Sequence, residues 1–153
     1  MTLLTSDSKT NIDIVKKASR ECFPDNDILA DLTAAQAILE SRLNGNPSEL
    51  ALKYCNLFGI KGEGTHQPQR SIGLMTHEYY GGAMHAVQQP FAWNDSVEDS
   101  FEQHKHLFEL RRYANLATAT TFEDAARMIR EDGYATDPNY PDELIETRNR
   151  YLI

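Results

Sequence analysis

The chain is 153 residues long, with 41% hydrophobic and 25% charged residues, a globular composition that excludes a wholly disordered chain. Its 23 acidic against 15 basic side chains give a net charge of −8, which excludes a nucleic-acid partner held by phosphate neutralisation and disfavours stable association with an anionic membrane. No apolar run approaches the ~20 residues needed to cross a bilayer, and Met1–Asp7 lacks the basic start and apolar centre of a secretory signal. Cys22 and Cys55 are too few for a disulfide framework and read as free, buried thiols.

In chain order, a polar opening of about ten residues is expected to be loosely held. A first helix is expected from Asn11 to Glu21, with Ile12, Val15 and Ala18 at helical spacing. A second follows Pro24–Asp27, where Ile28, Leu29, Leu32, Ala35, Leu39 and Leu43 form one stripe and Asn44-Gly45 provides a left-handed stop. Asn46-Pro47-Ser48-Glu49 reads as an Asn cap with Pro at the first helical position, starting a short helix that carries Leu50 and Ala51 inward and ends near Tyr54-Cys55-Asn56. Gly59, Gly62 and Gly64 mark an irregular stretch. Ser71–Tyr79 and Met84–Phe91 form two strands around Tyr80-Gly81-Gly82-Ala83. Helices then run from Asp95 to Tyr113, from the Thr121 cap to Glu131 with Gly133 as its stop, and from Pro141 to Tyr151.

Glu40 is the first candidate for chemistry. On a helical wheel started at Ile28 the apolar stripe centres near roughly 40° and Glu40 falls near about 120°, at the shoulder of the buried face and in the last turn. Partial burial and the negative end of the helix dipole both disfavour a carboxylate there. A carboxyl kept protonated near neutral pH is what a general acid needs. Periodicity alone favours the plainer reading of a surface glutamate at a helix shoulder.

The surrounding residues narrow the choice. Ala35-Gln36-Ala37-Ile38-Leu39-Glu40-Ser41, Ser48-Glu49-Leu50-Ala51 and Asn56-Leu57-Phe58-Gly59-Ile60-Lys61-Gly62 stand in order. Thr76-His77-Glu78-Tyr79, Ser96–His104 and Gly133-Tyr134-Ala135-Thr136-Asp137-Pro138-Asn139-Tyr140 follow them. From Ile28 to Tyr151 this series resembles the glucosaminidase family (glycoside hydrolase family 73), peptidoglycan hydrolases that include bacterial autolysins and phage endolysins. Two departures stand out. Arg42-Leu43-Asn44-Gly45 replaces the family's G-W-G, removing an aromatic wall near the cleft, and Cys55 replaces the first Asn of N-N-L-F-G.

The resemblance implies a mainly α (α+β), lysozyme-like single domain with a small β-hairpin lobe flanking a substrate groove. It implies Glu40 as general acid, Glu78 as a second carboxylate on a hairpin that can close over substrate, and Tyr134 in the catalytic centre. Asp137 reads as a turn former before Pro138. Phe58, Trp93, Tyr113 and Tyr140 are candidate platforms for pyranose rings, with Trp93 the preferred wall. Asn56 is a candidate partner for an acetamido group. For each aromatic a core role is an equal alternative. No cofactor or metal is implied; His104-Lys105-His106 puts two histidines on different helix faces and no HExxH motif is present.

The expected activity is hydrolysis of the β-1,4 bond after N-acetylglucosamine in peptidoglycan glycan strands, by a monomer. Inversion through water activated by Glu78 and retention through the substrate's acetamido oxygen both stay open. A muramidase, a lytic transglycosylase, an amidase and a non-catalytic glycan-binding module are rival readings; Cys55, at a position the resemblance assigns to Asn, reads as a substitution and not as a nucleophile. The missing export signal and wall-binding repeats lead to the expectation of a phage endolysin, held in the host cytoplasm until its release, with a virion-associated enzyme or a secreted wall-degrading effector as alternatives.

Overall fold

The computed structural model describes residues 1–65 and 69–153. Helices α1 (Ser8–Cys22), α2 (Asp27–Ser41) and α3 (Glu49–Tyr54) precede an antiparallel hairpin of β1 (Arg70–Tyr80) and β2 (Ala83–Trp93). Then come α4 (Val97–Phe108), a 3₁₀ helix (Arg111–Thr118), α5 (Phe122–Glu131) and α6 (Tyr140–Tyr151). Among the described residues no helix is long and apolar enough to cross a membrane.

α2 is the centre of the helical body. Its Ala30, Leu32, Ala34, Ala35, Ala37 and Ile38 are all buried, more than one stripe's worth, because α1, α5 and α6 pack around it. A helix apolar on most sides is one surrounded by others. Small alanines on its flanks let those neighbours approach, while Val15, Phe101, Leu116, Ile129 and Leu144 fill the remaining space from α1, α4, the 3₁₀ helix, α5 and α6.

Several expected boundaries move, each for a visible reason. The opening is pinned rather than loose: the Thr2 N–H donates to Glu98 Oε2 (2.9 Å), the Val97 N–H donates to the Thr2 carbonyl (2.8 Å) and Leu4 is buried. Asp7 then caps α1, accepting from the Thr10 N–H, so the helix starts three residues before Asn11. α2 stops at Arg42 (φ 54°) instead of at Asn44-Gly45. The Leu43 N–H reaches back to the Ile38 carbonyl (3.0 Å) and its side chain is fully buried, a helix end that closes on an apolar contact and tolerates a non-glycine in the left-handed position.

α3 is capped by Ser48, not Asn46. The Ser48 N–H is held by the Ser41 carbonyl (3.0 Å), which keeps Ser48 extended while its hydroxyl accepts from the Ala51 N–H. Ala51 is buried and Leu50 half-buried. The helix expected from Asp95 to Tyr113 breaks after Phe108. The following 3₁₀ helix places Tyr113 and Leu116, three residues apart, on one buried face.

The hairpin runs one to two residues further at each end than its sequence signal, with Arg70 paired to Trp93 and Tyr80 to Ala83. Gly81 and Gly82, both at positive φ (60° and 79°), make the two-residue turn. Ile72, Leu74, Thr76 and Glu78 share its half-buried face, and the alternate residues are exposed. The glycine-marked stretch is more regular than expected. Lys61 bridges to Phe91, the Ala92 N–H donates to the Ile60 carbonyl (2.9 Å) and the Gly62 N–H to the Pro90 carbonyl (3.0 Å). His66, Gln67 and Pro68, also in that stretch, lie outside the described residues. Cys22 and Cys55 are free and buried, and burial pushes both thiols up to about 11, far from the thiolate that a cysteine nucleophile needs.

Candidate active site

Glu40 projects from the last turn of α2 into a cleft of about 420 Å³, lined with Phe58, Gly59, Ile60, Lys61, Leu107, Tyr113 and Tyr134. The floor is delivered by a set of polar staples. Ser41, next to Glu40, donates its hydroxyl to the Leu57 carbonyl (2.6 Å), and the Leu57 N–H donates to Ser100 Oγ on α4 (3.0 Å). The loop after α3 is thereby fixed on one side to the end of α2 and on the other to α4.

Asn56 completes the clamp. Its amide nitrogen donates to the carbonyls of Ile60 (2.8 Å) and Ala92 (3.0 Å), and its oxygen accepts from the Ile60 N–H (3.1 Å). Asn56 is buried and both ends of its amide are engaged by backbone groups, so the structure gives it a structural role where a sugar contact was expected. Asn56→Ala would leave the Ile60 N–H without its acceptor and take a donor from the Ile60 and Ala92 carbonyls, and a loss of about 2 kcal/mol is expected in urea denaturation. A variant that kept its stability and lost substrate affinity would restore the acetamido role.

Two tyrosines reach Glu40. Gly133 (φ 96°) ends α5, and the Tyr134 N–H turns back to the Ile129 carbonyl (3.1 Å), aiming the side chain at the cleft. Its hydroxyl donates to Glu40 Oε2 (3.2 Å). Tyr140 opens α6 after a turn in which Asp137 Oδ1 accepts from the Asn139 N–H and Arg130 binds the Thr136 and Asp137 carbonyls. The Tyr140 hydroxyl donates to Glu40 Oε1 (2.8 Å) and accepts from Gln36 Nε2 (3.1 Å). Tyr140 is buried and bonded to the carboxyl, which accords with the core alternative of its two sequence readings.

Burial pushes the Glu40 carboxyl up to about 7, against the two tyrosine hydroxyls, which favour its charged form. Burial, reinforced by the nearby Glu40 charge, raises both phenols, so Tyr134 and Tyr140 stay protonated donors. The result is a carboxyl that can hold a proton near neutral pH and whose conjugate base already has two O–H donors waiting.

The remaining candidates divide. Phe58 and Tyr113 line the cleft, but both are largely buried, and one face of Phe58 is stacked on His104 at 3.9 Å. Trp93, the expected wall, lies outside this lining. It pairs with Arg70 at the base of the hairpin, packs edge-on against Tyr54 (5.0 Å) and is covered by the Arg70 guanidinium (4.5 Å). Glu78 sits on the half-buried face of β1, its Oε1 accepting from Gln89 Nε2 (3.0 Å) and 3.5 Å from Lys61 Nζ. Lys61 therefore links the second carboxylate to the lining of the Glu40 cleft.

Sequence reasoning passed over Gln36, His104 and Lys61. The clue to Gln36 was its place one helical turn before Glu40. His104 stood out only as the end of the Ser96–His104 segment and as one of two histidines that do not share a helix face.

Comparison with known proteins accords with this geometry. The sequence profile of the glucosaminidase family, described as mannosyl-glycoprotein endo-beta-N-acetylglucosaminidase, matches residues 16–152. The exo-glucosaminidase LytG of Bacillus subtilis (strain 168) is 34% identical over 132 residues, covering 81% of this chain and 44% of the relative. The peptidoglycan hydrolase FlgJ of Escherichia coli (strain K12) is 35% identical over 123 residues, covering 74% and 37%. The chain thus spans less than half the length of both curated relatives. The catalytic domain of the autolysin Auto from Listeria monocytogenes shares the fold, with a TM-score of 0.81 over 99% of this chain and 88% of that one at 23% identity. A helical body and flanking hairpin, with a carboxyl of raised pKa at the head of the cleft between two tyrosines, thus coincide with a family match over most of the sequence: the chain belongs to the glucosaminidase family of glycoside hydrolases.

Proposed function

We propose that this protein hydrolyses peptidoglycan at internal β-1,4 bonds after N-acetylglucosamine, acting as a monomer on glycan strands. The observation that carries the reading is Glu40, held in a cleft with its proton affinity raised and both oxygens facing tyrosine hydroxyls. Protonation of the glycosidic oxygen by Glu40 expels the leaving sugar from an oxocarbenium-like transition state. Glu78, tethered to the cleft through Lys61, activates the attacking water where the two carboxyls stand ~6.5–9.5 Å apart, which gives inversion. Similarity to the exo-glucosaminidase LytG and the peptidoglycan hydrolase FlgJ supports this substrate class.

Mass spectrometry of borohydride-reduced digests tests the proposal. The expected products are multi-disaccharide fragments with N-acetylglucosamine at the new reducing end. Reduced muramic acid there would replace the reading with a muramidase, and anhydro-muramyl ends with a lytic transglycosylase. Release of small units from chain ends would make the action exo. Proton NMR of the fresh product anomer separates inversion from retention through the substrate's acetamido group. The role as a phage endolysin, with the protein kept in the host cytoplasm until release, belongs to the same proposal and rests on the sequence reading alone. Its test is expression in a bacterial cytoplasm with a membrane-lesioning protein, where lysis is expected from the wild type and not from Glu40→Gln.

A further inference from the structure

A polar chain runs beneath the cleft that the chemistry above leaves unused. His104, on α4, is fully buried, stacked on Phe58 and edge-on to Tyr134 at 5.7 Å. Its Nε2 lies 2.8 Å from Gln36 Oε1, Gln36 Nε2 lies 3.1 Å from the Tyr140 oxygen, and that hydroxyl lies 2.8 Å from Glu40 Oε1. His104 Nδ1 is buried and meets no partner among the described residues.

Such a chain can run in two directions. In one, His104 carries its proton on Nε2 and donates to Gln36, Gln36 donates to Tyr140, and Tyr140 donates to Glu40. In the other, the Gln36 amide is turned round, donates to His104 and takes the Tyr140 proton for itself. The second direction forces the histidine proton onto Nδ1, as a buried N–H with no acceptor. That costs more and occurs less often than a buried acceptor left open. A doubly protonated ring is excluded because burial pushes its pKa down to about 3. The first direction wins.

We propose that His104 and Gln36 are positioning residues that make Tyr140 an obligatory donor to Glu40 Oε1 and thereby place the transferable proton on Oε2. This rests on the reading of Glu40 as the general acid. Oε1, which accepts the shorter bond, is held as the carbonyl-like oxygen. Once Oε2 has given up its proton, neither tyrosine has to reorient to stabilise the carboxylate.

The groups that face Glu40 are few. Tyr134 and Tyr140 touch it, with Glu143 of α6 close to Tyr140. Tyr113 of the 3₁₀ helix and Lys61, paired with Glu78, line the same cleft. His104 acts from α4 through Gln36, the residue one turn earlier on Glu40's own helix.

The experiment uses His104→Phe, Gln36→Met, their combination and His104→Gln. Two readouts are followed: the alkaline limb of kcat/KM against pH, and the NMR titration of the Glu40 carboxyl in protein carrying ¹³C-labelled glutamate side chains. His104→Phe keeps a ring on Phe58 but frees the Gln36 amide to turn its oxygen towards Tyr140. Glu40 then loses a donor to its charged form, and both readouts are expected to move up by about one pH unit. Adding Gln36→Met removes the competing acceptor, leaves Glu40 as the partner of Tyr140, and is expected to bring both back towards wild type. A purely structural role predicts the reverse, with the double variant worse than the single one. His104→Gln, which can still offer an amide N–H to Gln36, is expected to keep the wild-type limb.

Unmoved titrations in His104→Phe, or a double variant displaced further than the single, would overturn the proposal. If His104→Phe does not fold, a displaced limb in His104→Gln overturns it and a wild-type limb supports it. If the carboxyl titration moves as expected while Glu40→Gln still hydrolyses peptidoglycan, the relay stands and the general-acid reading falls.

Discussion

Glu40→Gln is expected to lower the rate of peptidoglycan hydrolysis by about 10³-fold with little change in KM, the loss characteristic of a missing general acid. The glutamine has nearly the same shape and still offers an oxygen to Tyr140, so the fold is retained. Stability supplies a second and independent signature. Burial moves the Glu40 carboxyl from its ordinary value of 4.5 up to about 7 on folding, so the folded state binds its proton more tightly than the unfolded chain does. The contribution of this proton is fully present below pH 4.5 and is lost as pH rises towards 7. The difference corresponds to about 3 kcal/mol. Glu40→Gln abolishes that loss, and the variant is expected to gain about this much on the wild type between pH 4 and 8 in urea denaturation. Parallel stability curves would mean that the carboxyl titrates as it does in water, and the acid role would go with it.

The second large effect is expected at Glu78. Glu78→Gln removes the charge and leaves an amide of the same length beside Gln89 and Lys61, and the rate is expected to fall by about 10²-fold. The thermal midpoint should move little, since the Lys61–Glu78 pair is more than a third exposed at both ends and such pairs contribute at most ~1 kcal/mol. Full activity in this variant would remove Glu78 from the chemistry and favour attack by the substrate's own acetamido oxygen. The two variants thus separate the step that needs a proton from the step that needs a base.

The two carboxylates were legible from the chain for different reasons. Glu40 could be placed because helical periodicity puts it at the edge of an apolar stripe just before a stop, and that geometry is local. Glu78 carried no such physical signal, and only the resemblance of Thr76–Tyr79 to a family motif singled it out. Asn56 and Tyr140 were singled out in the chain, but the groups they bond to were not. An amide or phenol that binds sugar and one that satisfies buried backbone or a carboxyl look the same in one dimension. Trp93 shows the same limit: it was expected just after the hairpin, but it ends β2, where the guanidinium of its ladder partner Arg70 lies over its ring.

The order of the α-helices and hairpin, the cap at Thr121, the glycine turn and the shoulder position of Glu40 were all determined by the sequence alone. Each depends on residues a few positions apart, through spacing, capping hydrogen bonds and allowed φ. Packing decided which polar groups meet across the fold: Gln36 with His104 at a separation of 68 residues, Gln36 with Tyr140 at 104 and Glu40 with Tyr140 at 100. Such partners are chosen by the cost of leaving any of them buried and alone, and that cost exists only once the helices have closed over them.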